Sequence, residues 1–365
     1  MADLSSLETP CLIVDRGKVE ANAARLKSHL GKLGVPLRLH VKTAKSAEAV
    51  AVVLEGKKEP ITVSTLREAE QFFEAGYRDI LYAVGFGPPK LARAKALQAR
   101  GCKLTLITDS IEAARGISGF PVLIEIDTDN HRAGLAPEAE GLVPLAKALK
   151  ESGNTVAGVM THAGGSYDCR GDEALRAIAE QERAGAVRAA ERLRAAGFEA
   201  PVVSIGSTPT AHFAQKLDGV TEVRAGVFVF QDLVMAGIGV CKVEDIALSV
   251  LTTVIGHQNE KGWILVDAGW MALSRDRGTA RQPVDQGYGL VCDAKGRPIP
   301  DLIVSDTNQE HGIVSRRGGG AVPHLAVGTR LRILPNHACA TAAQHDRYSV
   351  VAGGSPATWS RFGGW

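Results

Sequence analysis

Through the first two-thirds of the chain, short apolar runs alternate with longer stretches rich in Ala, Leu, Glu and Arg. Eight of the short runs read as strands: Leu37–Lys42, Ile61–Ser64, Ile80–Val84, Lys103–Thr108, Pro121–Asp127, Thr155–His162, Pro201–Gly206 and Glu222–Gly226. Between them, Ser46–Leu54, Leu66–Ala75, Leu91–Arg100 and Glu173–Ala196 carry strong helix formers. Eight strands, each followed by a helix or a turn and helix, predict a (β/α)₈ barrel. An open doubly wound sheet is the structural alternative, but no Gly-x-Gly-x-x-Gly follows the first strand. After about Asp232 the pattern changes: Ile246–Gly256, Trp263–Asp267 and Thr329–Leu334 read as strands among Gly-rich turns, which predicts a C-terminal β-domain. The run Thr9–Asp15 is a further strand ahead of the first barrel helix, Lys18–Lys32, and is expected to pair with that β-domain. The expected division is therefore residues 16–232 for the barrel, with 1–15 and 233–365 forming the β-rich domain.

Composition narrows the function classes. The 365 residues suffice for a large domain with a smaller one, and 45% hydrophobic with 22% charged residues is ordinary for a globular chain. With 42 basic against 40 acidic residues and no basic run, neither nucleic acid nor a membrane surface is an expected partner, and the balance leaves room for an anionic small molecule. Six cysteines without paired spacing disfavour a disulfide framework and suit a reducing compartment. The opening MADLSSLETP has neither a basic nor an apolar region of a secretory signal, and no apolar run approaches the roughly 20 residues of a membrane span. A soluble cytoplasmic enzyme is the expectation.

Unusual polar residues cluster at the predicted strand ends. Lys42 ends the first barrel strand, His162 the sixth, Gly206, Ser207 and Thr208 follow the seventh, and Arg224 and Gly226 close the eighth. In such a barrel these ends converge on the face where active sites are built, although strands also end in polar turns for no catalytic reason. A partly desolvated lysine amine suits Schiff-base chemistry. The loop SIGSTPT (204–210) has the small, hydroxyl-rich character of a phosphate cup, and EVRAG adds Gly226 for close backbone approach. An amine and a phosphate cup at one barrel mouth are what pyridoxal 5′-phosphate (PLP) requires. In PNHAC, His337 and Cys339 stand two apart; on a strand both would point the same way and could share a metal, although a buried His beside a buried Cys is the plainer explanation.

RLHVKTAKS, THAGGSYD, IGSTPT, EVRAG and PNHACAT, in this order and spread from Thr9 to the C-terminus, together resemble the D-threonine aldolase/D-serine dehydratase family. That resemblance implies the alanine racemase-type barrel with a C-terminal β-domain and a PLP enzyme with Lys42 as its Schiff-base lysine. It implies that Gly206, Ser207 and Thr208, with Gly226 and Val227, bind the phosphate, and that Arg132 and Tyr167 lie near the cofactor ring with His162 beside it. It also implies that His337 and Cys339 hold a divalent metal, zinc first, with Mn²⁺, Co²⁺ or Mg²⁺ as alternatives. Family aldolases carry His-x-Asp at the metal pair and dehydratases His-x-Cys, so Cys339 favours a dehydratase. One departure is Leu39 where the family usually has proline, a difference in strand rigidity.

The reaction so implied is dehydration of a β-hydroxy-D-amino acid to an enamine, which water then hydrolyses to a keto acid and ammonia. The lysine amine removes the α-proton, PLP delocalises the carbanion and the metal assists the departing hydroxyl. Such a small molecule is the expected partner, with a homodimer as a possible assembly. From 3-hydroxyaspartate the product is oxaloacetate, and from serine pyruvate. The alternatives are retro-aldol cleavage to glycine and an aldehyde, a racemase, which needs a second base and no metal, and a non-catalytic PLP-binding protein. Gln309, Glu310 and His311 in NQEHG are candidates for the substrate side-chain pocket, with a purely structural turn as the other reading.

Overall fold

The computed structural model describes residues 4–352 and 356–365. Residues 1–3 of the opening segment and of the expected 1–15 strip, and residues 353–355 of the expected 233–365 segment, lie outside the described residues. The chain divides into two compact units, one drawn from Met1–Ala23, Thr43–Val53 and Val227–Gly363, the other from Ala24–Lys42, Leu54–Gly226 and Gly364–Trp365.

Strand β1 (Cys11–Asp15), of the first unit, precedes the helix Arg16–Lys32 in the chain. The second unit holds a closed parallel barrel of β2 (Leu37–His40), β3 (Ile61–Val63), β4 (Asp79–Tyr82), β5 (Lys103–Thr108), β6 (Pro121–Ile126), β7 (Thr155–Thr161), β8 (Val202–Ile205) and β9 (Glu222–Ala225). Closure runs through β2 and β9, where Leu37, Arg38 and Leu39 face Val223, Arg224 and Ala225. Leu81, Ile107, Leu123 and Met160 from four consecutive strands pack as one buried cluster. The (β/α)₈ expectation therefore holds, and the observed strands mostly stop short of the expected ends. Lys42 does not end β2: the strand stops at His40 and Lys42 lies in the turn that follows, because the Lys42 N–H turns back to His40 Nδ1 at 3.4 Å.

The first unit is built on a nine-stranded sheet. After β1 its strands are β10 (Leu248–Gln258), β11 (Trp263–Val266), β12 (Leu290–Asp293), β13 (Pro298–Thr307), β14 (Gly312–Arg316), β15 (Arg330–Leu334), β16 (Arg347–Val351) and β17 (Ala357–Ser360). They lie in the order β11-β14-β13-β12-β15-β10-β1-β16-β17. The N-terminal strand pairs as expected, antiparallel with β10 and parallel with β16. The chain between β15 and β16 corrects a second expectation. His337 and Cys339 are not on a strand: His337 is the N-cap of a short helix, Ala338–Ala342, and Cys339 sits in its first turn.

Candidate active site

The ends of the barrel strands bring several expected residues together. His162, just past β7, donates from Nδ1 to the Gly206 carbonyl at 3.1 Å, since a carbonyl can only accept. Its proton therefore sits on Nδ1. Loss of solvent and the nearby Lys42 charge, reinforced by Arg132 and Arg224, lower its pKa to about 3, although the Gly206 bond opposes them. His40 is likewise pushed well below the usual histidine value, by burial first and then by Lys42, Arg224 and His162. Both rings at this mouth are thus held neutral. The Tyr167 ring lies 6.3 Å from that of His162. Lys42 is exposed, which corrects the expectation of a desolvated amine. Arg132 is also exposed, 3.8 Å from the buried Glu125 carboxylate.

The loop after β8 is more committed than its composition suggests. Gly206 has φ +135°, and a Cβ there would stand 2.1 Å from the Arg224 carbonyl of neighbouring β9. Glycine is thus required by the close approach of a strand rather than by that of a ligand. Its N–H goes to Glu182 Oε1 at 3.0 Å. Ser207 caps the helix Thr208–Phe213: its hydroxyl accepts the Thr210 N–H, and Thr210 Oγ1 accepts the Ser207 N–H at 3.0 Å. The N–H groups of Gly206 and Ser207 are accordingly taken up by Glu182 and Thr210. Gly226, which follows β9, and Val227 are both buried.

Beneath the mouth runs a polar chain. Arg224 donates to Ser204 Oγ at 3.0 Å and to the Thr161 carbonyl, Ser204 donates to Glu222, and Glu222 pairs with Arg38 at 2.7 Å. An amine, two arginines and neutral imidazoles around a small-residue loop fit a phosphorylated aldehyde cofactor, whose net negative charge this donor set complements.

The second cluster lies in the other unit. His337 Nδ1 bonds Asp276 Oδ2 at 2.7 Å, and the ring also hydrogen-bonds the Cys339 side chain. Cys339 Sγ bonds Thr43 Oγ1 at 3.3 Å, and Thr43 is the residue after Lys42 in the chain. Buried groups fix the segment between them: Asp232 accepts the Ala338 N–H at 2.9 Å, and Asn336 Nδ2 donates to the Gly287 carbonyl at 2.6 Å. Burial opposes a charged His337 ring, but Cys339, Asp276 and Asp232 outweigh it and push the pKa up to about 11. These groups favour a cation at the imidazole. Among the described residues no three His, Cys, Asp or Glu side chains converge as a metal cluster; His337 and Cys339 are two side chains here that could hold a metal. Imidazole with thiolate fits Zn²⁺, and two ligands leave positions open.

Gln309 and His311 are exposed in the turn between β13 and β14. The backbone of that turn has a structural role of its own, since the Asn308 and Gln309 carbonyls accept the N–H groups of Trp270 and Met271. Sequence reasoning gave no role to Asp276, Glu182 or Thr43. Asp276 stands 61 residues before His337, so no local spacing could have paired them.

A family model described as "Alanine racemase, N-terminal domain" matches residues 14–233, and one described as "Putative serine dehydratase domain" matches 247–351. The D-threo-3-hydroxyaspartate dehydratase of Delftia sp. (strain HT23) is 54% identical over 376 aligned residues, covering 99% of each chain. Its solved structure matches with a TM-score of 0.97 over 100% of both chains at 53% identity. A Cys→Ala mutant of it, solved in the metal-free form, matches as well, at a TM-score of 0.97. The D-serine dehydratase of Dictyostelium discoideum is 31% identical, covering 96% of this chain and 94% of that one. A 3-hydroxy-D-aspartate aldolase of Paracoccus denitrificans (strain Pd 1222) is more distant, 27% identical over 98% and 92%.

Proposed function

The chain belongs to the alanine racemase-like, fold-type III family that carries a D-serine dehydratase domain, and from that premise we propose that it is a PLP- and divalent-metal-dependent dehydratase of β-hydroxy-D-amino acids. The substrate we assign is D-threo-3-hydroxyaspartate, giving oxaloacetate and ammonia, with D-serine, giving pyruvate and ammonia, as a second. The name and near-complete coverage of the Delftia relative support this choice. What supports the metal pair most is the hydrogen bond from His337 Nδ1 to Asp276, which orients the imidazole two residues before Cys339. Cysteine at 339, where the resemblance puts aspartate in aldolases, argues against retro-aldol cleavage. Six free cysteines support a reducing, cytoplasmic setting, and among the described residues no helix is long and apolar enough to cross a membrane. A homodimer is the assembly we propose.

When bound, PLP supplies an electron sink for a carbanion at Cα, and the metal ion supplies Lewis acidity toward the departing hydroxyl. Lys42 would hold the cofactor, and its Nζ takes the Cα proton. Gly206, Ser207 and Thr208, with Gly226 and Val227, would surround the phosphate, and Arg132 and Tyr167 would flank the ring. His162, with its proton fixed on Nδ1, presents an uncharged face beside them. His337 Nε2 and Cys339 Sγ, from the β-rich segments, would hold the metal, and Asp276 orients the imidazole. Gln309 and His311 would meet the substrate side chain.

Product analysis tests the assignment. Incubation with D-threo-3-hydroxyaspartate should release ammonia and a keto acid in equal amounts. Glycine with an aldehyde as the main products would transfer the assignment to the aldolase reaction.

A further inference from the structure

The helix Asp172–Ala195 carries one acidic side chain with no solvent exposure at all, Glu182. A carboxylate in that position is costly unless it is hydrogen-bonded, so its partners reveal its purpose. Glu182 Oε1 accepts two backbone N–H groups, from Ala163 at 2.9 Å and from Gly206 at 3.0 Å. Ala163 directly follows His162 in the chain, and Gly206 supplies the carbonyl that receives the His162 Nδ1 proton. The other oxygen, Oε2, is buried and makes no well-formed hydrogen bond, and the Thr210 side chain is a further group that favours the ionised carboxylate. A second link joins the same two loops, Ser166 Oγ to Ser207 Oγ at 2.9 Å.

We propose that Glu182 is a positioning residue: through a single carboxylate oxygen it locks the His162 loop to the Gly206 loop, and so sets the His162 tautomer and the shape of the cofactor cup. Gly206 is gripped at both ends, its N–H by Glu182 and its carbonyl by His162. If it rotates, the imidazole loses its acceptor and the proton is no longer held on Nδ1. The competing role for a buried carboxylate here is to neutralise the buried Arg224. Arg224 also has Glu222 and Glu125 as negative neighbours, and its own donors go to Ser204 and Thr161, not to Glu182.

The two roles predict opposite orders for two conservative variants. Glu182→Gln keeps the acceptor oxygen and places its amide where Oε2 makes no well-formed hydrogen bond. Glu182→Asp keeps the charge but is one methylene short of both N–H groups. The positioning role predicts PLP affinity within about threefold of wild type for Glu182→Gln and about tenfold or more weaker for Glu182→Asp, the loss of roughly one buried hydrogen bond. Nitrogen NMR of the cofactor-free proteins should show His162 protonated at Nδ1 in wild type and Glu182→Gln, and a mixed or shifted tautomer in Glu182→Asp. Glu182→Asp binding more tightly than Glu182→Gln, or an unchanged His162 signal in Glu182→Asp, would overturn the proposal. So would wild-type His162 protonated at Nε2, a result that needs no variant to fold. The affinity arm rests on the PLP reading above. A wild-type protein that binds no PLP would refute that reading, while the His162 signal would still decide the role of Glu182.

Discussion

Gly206 shows how far one residue can be constrained: its φ of +135° disfavours any side chain, and the Arg224 carbonyl occupies the space a Cβ would need. Gly206→Ala should therefore lower the stability of the cofactor-free protein by more than about 1 kcal/mol in urea unfolding. An unchanged unfolding midpoint with only PLP affinity reduced would contradict this and return the glycine to a ligand-contact role. At the metal pair the sensitive residue is Asp276, which holds His337 Nδ1 at 2.7 Å. Removing such an orienting partner typically costs about 10–100-fold in metal affinity. Asp276→Ala should show that loss in a metal titration with PLP binding intact, and wild-type metal affinity would exclude the orienting role. These residue roles were unevenly legible. Lys42 and His162 stand out because they follow apolar runs, a local signal. Asp276 and Glu182 act on partners far along the chain, so nothing around them marks their role.

At the scale of elements, barrel closure rests on Arg38 of β2, which reaches Glu222 of β9 at 2.7 Å and Asp79 of β4 at 2.8 Å. All three residues lie at or near the starts of their strands, the face of such barrels that serves stability. Arg38→Ala leaves two carboxylates without their cation and should cost about 3 kcal/mol, with kcat unchanged in the folded fraction. A fall in kcat without loss of stability would place the network in the chemistry. The buried histidines set the response to acid. His212, its Nδ1 donating to the Thr208 carbonyl, has its pKa lowered to about 4, by burial first. A histidine depressed in the folded state is protonated earlier in the unfolded chain. Its contribution is complete above the unfolded pKa of about 6.5 and is lost as pH falls toward 4, at up to about 1.4 kcal/mol per pH unit. His212→Asn should flatten the fall of stability between pH 6 and 4 relative to wild type, and an identical slope would refute the burial argument. Strand and helix positions in the barrel were readable because aliphatic runs and helix formers alternate so regularly. The β-rich unit was read only in part. β13 begins at Pro298, passes an Asp301 with φ +57° and is exposed along much of its length, so it lacks the alternation that betrays a strand. On a strand His337 and Cys339 would point the same way, yet Ala338–Ala342 is a run of small residues that folds as a helix under the Asp232 anchor.

For the whole molecule, the proposed function gives cofactor binding and metal binding to different parts of the chain and requires both for dehydration. Lys42 would hold the cofactor, and the His337–Cys339 pair, built into a turn by Asp276, Asp232 and Asn336, would hold the metal. A site with two protein ligands is open and yields its metal to chelators more readily than a closed four-ligand site. The Schiff base on Lys42 has no reason to respond. The most direct measurement follows ammonia release from D-threo-3-hydroxyaspartate and the visible absorbance of the PLP–lysine adduct in one sample, before and after EDTA treatment and after adding back Zn²⁺. Ammonia release should stop on chelation and return with the metal, while the absorbance stays unchanged throughout. Full ammonia release from metal-free protein would contradict the need for metal.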